Sequence, residues 1–402
     1  MTHPRCNRMP RGTFGRWGGL CRGIVAIVLM IPVPTLAQSD QAAAAKSSLF
    51  DGKSLHGWTV LNEAEATVED GLLVLKNGNG WLRSDFVYSD FKMHVEWKAL
   101  KAADYDSGIY IRTPPDPGKP FARDGYQINL LQGQEGNIKN LKGAESTGLI
   151  KPGDWNAFDI TVTGDTVELT INGKKAWKAS GIKHRSGHVG LQCEVTKGGQ
   201  FQFRNIHITE LDYKPLFNGQ NLTGWEGGGA AADKCWVVQD GELHCTGKPG
   251  PWLKSTEQFG DFSLRLEFLV TAGGNSGVYV RVPADGNHHR ENDSSPPAGF
   301  EVQLLDDEAA QYRNLKDYQY SASVYDICGA KPRAMHPAGQ WNTLELTCVG
   351  QHVTSILNGV TVVDITAESH PLLKLRQTKG FLGLQNHNTL VKFRNVRVAP
   401  AK

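Results

Sequence analysis

The sequence predicts an all-β protein built as two tandem antiparallel sandwiches. Three observations predict it. The 402-residue chain carries 45 Gly and 19 Pro, a turn-rich composition that favours many short strands over long helices. One series of motifs occurs twice in the same order, which is the signature of a duplicated unit. Apolar and polar residues alternate at period two, as in Phe262, Leu264, Leu266 and Phe268 against Ser263, Arg265 and Glu267. With 40% hydrophobic and 21% charged residues, the chain can fill cores and carries too few charges for a disordered protein.

The first stretch stands apart from the fold. Arg5, Arg8, Arg11, Arg16 and Arg22 precede the apolar run Gly23 to Pro32, and Pro34-Thr35-Leu36-Ala37 follows. This is the layout of a secretory signal, residues 1–37, cut after Ala37; an uncleaved anchor is the alternative. The run is short of the roughly 20 residues that span a bilayer. The expected protein is exported, periplasmic or extracellular, with no membrane attachment after cleavage. Without the signal 38 basic residues face 41 acidic ones, so no basic stripe is left to attract nucleic acid.

Residues 38–48 read as a tether, 49–211 as the first sandwich and 212–402 as the second. Leu49-Phe50-Asp51-Gly52 with Gly57-Trp58 returns as Leu216-Phe217-Asn218-Gly219 with Gly224-Trp225. Asp90-Phe91, Ser107-Gly108 and Arg112 return as Asp261-Phe262, Ser276-Gly277 and Arg281. Trp155-Asn156, Gly190-Leu191-Gln192 and Phe203-Arg204-Asn205 return as Trp341-Asn342, Gly383-Leu384-Gln385 and Phe393-Arg394-Asn395. The second copy is longer, chiefly between Phe300 and Trp341, and loops are where a duplicated scaffold accepts specificity. Residues 210–215 join the copies with almost no slack, so the two should touch.

Within the copies, Asp70-Gly71, Asp240-Gly241 and Asn358-Gly359 mark hairpin turns. Only residues 309–318 could hold a short helix. Five cysteines follow the signal: Cys193, Cys235, Cys245, Cys328 and Cys348. A three-residue loop at Gln239 to Gly241 would set Cys235 opposite Cys245 for a cross-strand disulfide; a two-residue turn would break that register.

Candidate site residues lie in the second copy. Tyr279 and Arg281 share one face of their strand, as do Glu301 and Gln303 of theirs, opposite Phe300, Val302 and Leu304. The first copy has Gln127, Asn129 and Gln132 where the second has Glu301, Gln303 and Asp306. A carboxylate can act as a base or metal ligand and a carboxamide cannot, so the second copy is the candidate for catalysis and the first for binding or scaffolding. His387 has a pKa range suited to proton transfer. Trp252 can stack on a sugar ring or fill a core, and Trp155 and Trp341 read as core residues. The run from Asn287 to Asp293, with His288 and His289, reads as a hydrated loop rather than a metal site. Glu301, Asp306 and His387 together could hold a divalent metal ion.

The motifs Leu216-Phe217-Asn218-Gly219, residues 274–281 (GNSGVYVR), residues 299–306 (GFEVQLLD), Gly339-Gln340-Trp341-Asn342 and Gly383 to His387 resemble the 3-keto-disaccharide hydrolase family. The resemblance covers 216–398 closely and 49–211 more loosely. It implies concanavalin A-like jelly-roll sandwiches and an enzyme that cleaves glycosides already oxidised at sugar C3. It also implies a partner sugar 3-dehydrogenase to make the ketone. A C3 ketone acidifies the C2 proton, so a base can remove it, the C1 aglycone leaves, and water adds back. Carried to matching positions, the resemblance implies Glu301 as base or metal ligand and Arg281 as stabiliser of the enolate or ketone. By the same resemblance Asn275, Gln303 and Asp306 become sugar contacts and His387 the acid or a further contact; Tyr279 and Trp252 join the substrate-binding candidates from the residue reading alone. The alternatives are a non-catalytic carbohydrate-binding protein of lectin type and a general two-carboxylate glycosidase.

Overall fold

In the computed structural model, residues 15, 45–114, 125–194 and 200–401 are described. The expected signal, Gly15 aside, and the start of the tether lie outside them. The last tether residues do not dangle: Ala45–Ser48 is a strand paired with Phe201–Glu210. Among the described residues no helix is long and apolar enough to cross a membrane.

Each copy has an eight-stranded and a five-stranded antiparallel sheet, and the order of strands is the same in both. In the second copy the larger sheet runs Trp236–Gln239, Glu242–Thr246, Leu390–Pro400, Phe262–Val270, Asn342–Val349, His352–Leu357 and Val360–Ile365, with Lys214–Pro215 added against Leu390–Pro400. The smaller runs Trp225–Gly227, Leu253–Phe259, Gly380–Leu384, Asn275–Val282 and Phe300–Leu305. Facing sides of the two sheets share one core: Phe262, Leu264, Leu266 and Phe268 meet Val278, Val280, Val302 and Leu304. The first copy repeats this with Phe91, Met93, Val95 and Trp97 against Ile109, Ile111, Val189 and Leu191.

The turns follow from their sequences. Asp70-Gly71, Asn172-Gly173, Asp240-Gly241 and Asn358-Gly359 all have positive φ at both residues, the two-residue type I′ geometry whose twist matches antiparallel strands. At Asp240-Gly241 this sets Gln239 opposite Glu242 and therefore Trp236, not Cys235, opposite Cys245. The disulfide register is lost, and all five cysteines are free thiols. Residues 309–318 hold only a 3-10 turn at Ala310–Tyr312 and the start of another at Asp317–Gln319.

Arg281 is the clearest departure from period two. Its φ is 51°, and the register against Gly380–Leu384 shifts between Tyr279 and Val282. This bulge rotates Arg281 off the face it would share with Tyr279. Its guanidinium is buried, donating to the carbonyls of Gly260 (2.9 Å) and Gly350 and pairing with Asp261 at 3.1 Å. Arg112, at φ 45°, does the same with Ser89, Gly164 and Asp90. Gly187 and Gly380 make room, since a Cβ on either would lie within 2.4 Å of the arginine backbone. The repeated Asp-Phe and Arg motifs thus encode a corner clamp. Arg281→Leu is expected to lower stability by about 2–4 kcal/mol, because two carbonyls lose a charged donor, while KM is unchanged; a raised KM with an intact fold would return Arg281 to the site.

The copies touch as their short junction requires. The outer face of the second copy's larger sheet receives the first copy's segment from Arg83 to Tyr88. Arg265 donates to the Val87 carbonyl at 2.6 Å and lies over the Phe86 ring, Thr343 donates to Asp85 at 3.1 Å, and Glu210 accepts from both Arg265 and Arg397. Arg265 and Glu267, polar residues of an alternating strand, are buried, and His56 of the first copy pairs with Glu267 at 2.9 Å.

Candidate active site

The outer face of the second copy's smaller sheet carries a cavity of about 310 Å³, lined by Asn275, His288, His289, Glu301, Gln303, Leu305, Tyr312, Leu315, Gln319, Tyr325, Gln385 and His387. Its floor is set by strand register: Tyr279 stands opposite Glu301 and Gly277 opposite Gln303. Alternation sends Phe300, Val302 and Leu304 into the core and leaves Glu301 and Gln303 on the other face. Small residues keep that face open. A Cβ on Gly277 would sit 2.0 Å from Glu301 Oε1, so the Glu301 side chain lies flat across Gly277.

Glu301 is 3% exposed and its Oε1 has no hydrogen-bond partner. Its Oε2 lies 3.3 Å from His288 Nε2. Burial pushes the Glu301 carboxyl up to about 8, and the nearby Asp326 charge adds to this. Burial also lowers the His288 pKa, and its Nδ1 meets the Gly286 carbonyl at 3.0 Å. At neutral pH burial therefore favours the uncharged form of both groups. His288 also stacks on Tyr279, ring centroids 4.6 Å apart, while His289 pairs with Asp326 at 2.7 Å.

The remaining wall is amide-rich. Gln303 Nε2 donates to Asn275 Oδ1 at 2.9 Å, and Gln385 Nε2 donates to the Tyr279 hydroxyl at 3.2 Å. His387 is exposed at the rim. Tyr312, Leu315, Gln319 and Tyr325 come from the second copy's extra length, which places the longer loops on the cavity.

Of the residues read from sequence, Glu301, Gln303, Asn275 and His387 line the cavity. Tyr279 lies beneath it, between His288 and Trp252. Trp252 is half-buried under Gly228, Gly286 and Gly383 and is not among the lining residues. Arg281 is withdrawn into its clamp. Asp306 is also withdrawn: Gly273 N–H donates to its Oδ2 at 2.7 Å, so it closes a turn. Glu301, Asp306 and His387 therefore form no ligand set, and among the described residues no group of three or more His, Cys, Asp or Glu side chains has metal-holding geometry. His288 and His289, read as loop residues, are cavity residues; the signal was their position in an insertion on the longer copy.

In the first copy Gln127 takes the place of Glu301, opposite Tyr110. Gln127 donates to Gln192 Oε1, and Gln192 donates to Glu194 at 2.9 Å. These groups satisfy one another, whereas Glu301 Oε1 and Gln385 Oε1 of the second copy have no partner.

A family model for the 3-keto-alpha-glucoside-1,2-lyase-like domain matches residues 45–209 and again 212–399. The chain is 29% identical over 271 residues to the 3-keto-disaccharide hydrolase of Bacteroides thetaiotaomicron, spanning 58% of this chain and 93% of that one. Two crystal structures of provisionally named glycosyl hydrolases from Parabacteroides distasonis each cover 47% of this chain. They are 24% and 27% identical, with TM-scores of 0.40 and 0.38, over 94% and 99% of their own lengths. The protein belongs to the 3-keto-alpha-glucoside-1,2-lyase-like family and contains two tandem copies of its domain.

Proposed function

We propose that the second copy cleaves 3-keto-glycosides by elimination and hydration, with Glu301 as the base. The observation that carries this reading is the buried Glu301 carboxyl, unpartnered at Oε1, set against His288 and pushed up to about 8. A base with a pKa near the working pH combines availability with proton-transfer strength. Glu301 takes the C2 proton of the ketosugar, and the electron pair passes into the C2–C3 bond as an enolate. Asn275, its Oδ1 held by Gln303, presents its amide N–H to the enolate oxygen. The enolate then expels the C1 aglycone, whose oxygen is protonated by His387, leaving a C1=C2 enone. Water adds its hydroxide to C1 while its proton restores His387, and Glu301 returns a proton to C2, so the net change is hydrolysis.

The jelly-roll closure of each sandwich, the exported location and the partner dehydrogenase belong to the same proposal. A glycosidase with two carboxylates across a cleft fits less well, since Glu301 is the sole acidic residue among those lining the cavity. Incubation with a 3-keto-disaccharide and its unoxidised parent is the test: the keto form alone should be cleaved. Cleavage of both sugars supports a glycosidase, and binding without turnover supports a lectin-type module.

The pH dependence has a definite sign. The Glu301 carboxylate is the reactive form, so kcat/KM should rise with pH through about 8, and the ascending limb should move in Glu301→Asp. A profile flat between pH 6 and 9 would remove Glu301 from the base's role.

A further inference from the structure

We propose that the side-chain oxygen of Gln385 is the group that reads a hydroxyl of the oxidised sugar ring, a specificity contact that rests on the reading of the cavity as the ketosugar site. The two copies hold the same glutamine at the same register and leave it in opposite states. In the first copy both ends of the Gln192 amide are used, by Gln127 and by Glu194. In the second copy the donor Gln127 is replaced by Glu301, and the Gln385 Oε1 atom is buried with no partner. Glu301 Oε1 is orphaned as well. The two unpartnered oxygens flank Gly277, across which Glu301 lies and whose carbonyl accepts from the Gln385 backbone N–H at 2.8 Å.

Gln385 is held ready for such a contact. Its Nε2 is anchored on the Tyr279 hydroxyl at 3.2 Å, and its carbonyl accepts from Ser276 at 2.8 Å. One Nε2 hydrogen is used by Tyr279, and the amide oxygen is left without a donor. Buried acceptors without donors are costly and rare, so the natural complement is a ligand that brings hydroxyl donors. A sugar ring bearing a hydroxyl on or near the carbon that Glu301 deprotonates meets this requirement, and an acceptor-only group at that position does not.

The test couples a change in the protein to a change in the sugar. The 3-keto derivative of a glucose disaccharide is compared with its monodeoxy and monodeoxyfluoro analogues at C2, C4 and C6 of the oxidised ring, using wild type and Gln385→Met. At one position wild type should disfavour both the deoxy and the fluoro analogue by about 10- to 100-fold in kcat/KM, the loss expected when a buried acceptor is left unmade. In Gln385→Met that preference should shrink to within a few-fold, while the other positions are unchanged. Intrinsic reactivity differences between the analogues cancel in this comparison. Tyr279→Phe, which frees the amide but keeps its oxygen, should give an intermediate loss.

Unaltered discrimination at every position in Gln385→Met overturns the assignment. So does tolerance of the fluoro analogue, which accepts without donating, or loss of the preference on chelation, which would put a cation between the two oxygens. If no ketosugar is turned over, the proposed reaction fails, and the same comparison is made by calorimetric binding of the unoxidised sugars. Equal affinities there overturn the Gln385 contact independently.

Discussion

Glu301→Gln is expected to lower kcat/KM by about 10³-fold, in the range a general base contributes, and at the same time to make the protein more stable. The first copy shows why. A glutamine at this register position lies across its neighbouring glycine and donates to the next glutamine, as Gln127 does to Gln192. Glu301→Gln should therefore donate to Gln385 Oε1 and close the open pair of acceptors. At pH 7 the wild-type fold must also keep protonated a carboxyl that the unfolded chain ionises. Because the folded pKa, about 8, lies above the ordinary 4.5, the unfolded state releases its proton first, and wild-type stability falls as pH rises through that window. The substitution removes the slope. Apart from the new hydrogen bond, the gain should be below about 1 kcal/mol at pH 5 and on the order of 4 kcal/mol at pH 8. Urea unfolding of both proteins at the two pH values measures it. A stability difference that does not grow with pH sinks the account of a buried protonated carboxyl.

That substitution also explains what the sequence could and could not reveal. The motifs that repeat between the copies made the duplication legible, and most prove to be scaffolding. Trp58 and Trp225 each donate to the carbonyl of the Leu that opens the copy, and Arg112 and Arg281 clamp corners. Arg204 and Arg394 lie 4.0 Å over Trp155 and Trp341, which are half-buried outer-face residues rather than core. The candidate chemistry lies where the copies differ, at Glu301 against Gln127 and in the inserted loops. Period two found Glu301 and Gln303 because their strand is unbroken. It failed at Arg281 because a residue at positive φ reverses the alternation, and nothing in the residue type Arg signals a bulge. Asp306 was misread for a related reason, since a strand-end carboxylate is equally able to close a turn. His288 sits in an irregular loop, where no period predicts a side chain's direction; its stacking on Tyr279 is a tertiary contact.

The largest structural effect is expected at the junction of the copies, from Glu210→Ala. Glu210 ends the first copy's strand Phe201–Glu210 and is 1% exposed, between Arg265 at 4% and Arg397 at 2%. Both guanidiniums use it as their carboxylate, although Arg265 also reaches Glu345 at 3.0 Å. Removing one member of a buried charge cluster leaves the others desolvated and unpaired, which costs about 3–5 kcal/mol. The loss should appear as a split of one unfolding transition into two, because Arg265 also carries the contact to Val87 and Phe86 that holds the first copy in place. Replacing all three with apolar residues, Glu210→Leu with Arg265→Met and Arg397→Met, should restore most of the stability, since a packed apolar contact avoids the desolvation that the ions bear. Activity below the melting point should be nearly unchanged in both variants, because the Glu301 cavity opens on the smaller sheet and the junction covers the larger one. A large fall in kcat/KM with an intact second copy would mean that the first copy shapes the site across the core, and the division of scaffold and catalytic unit would have to be redrawn.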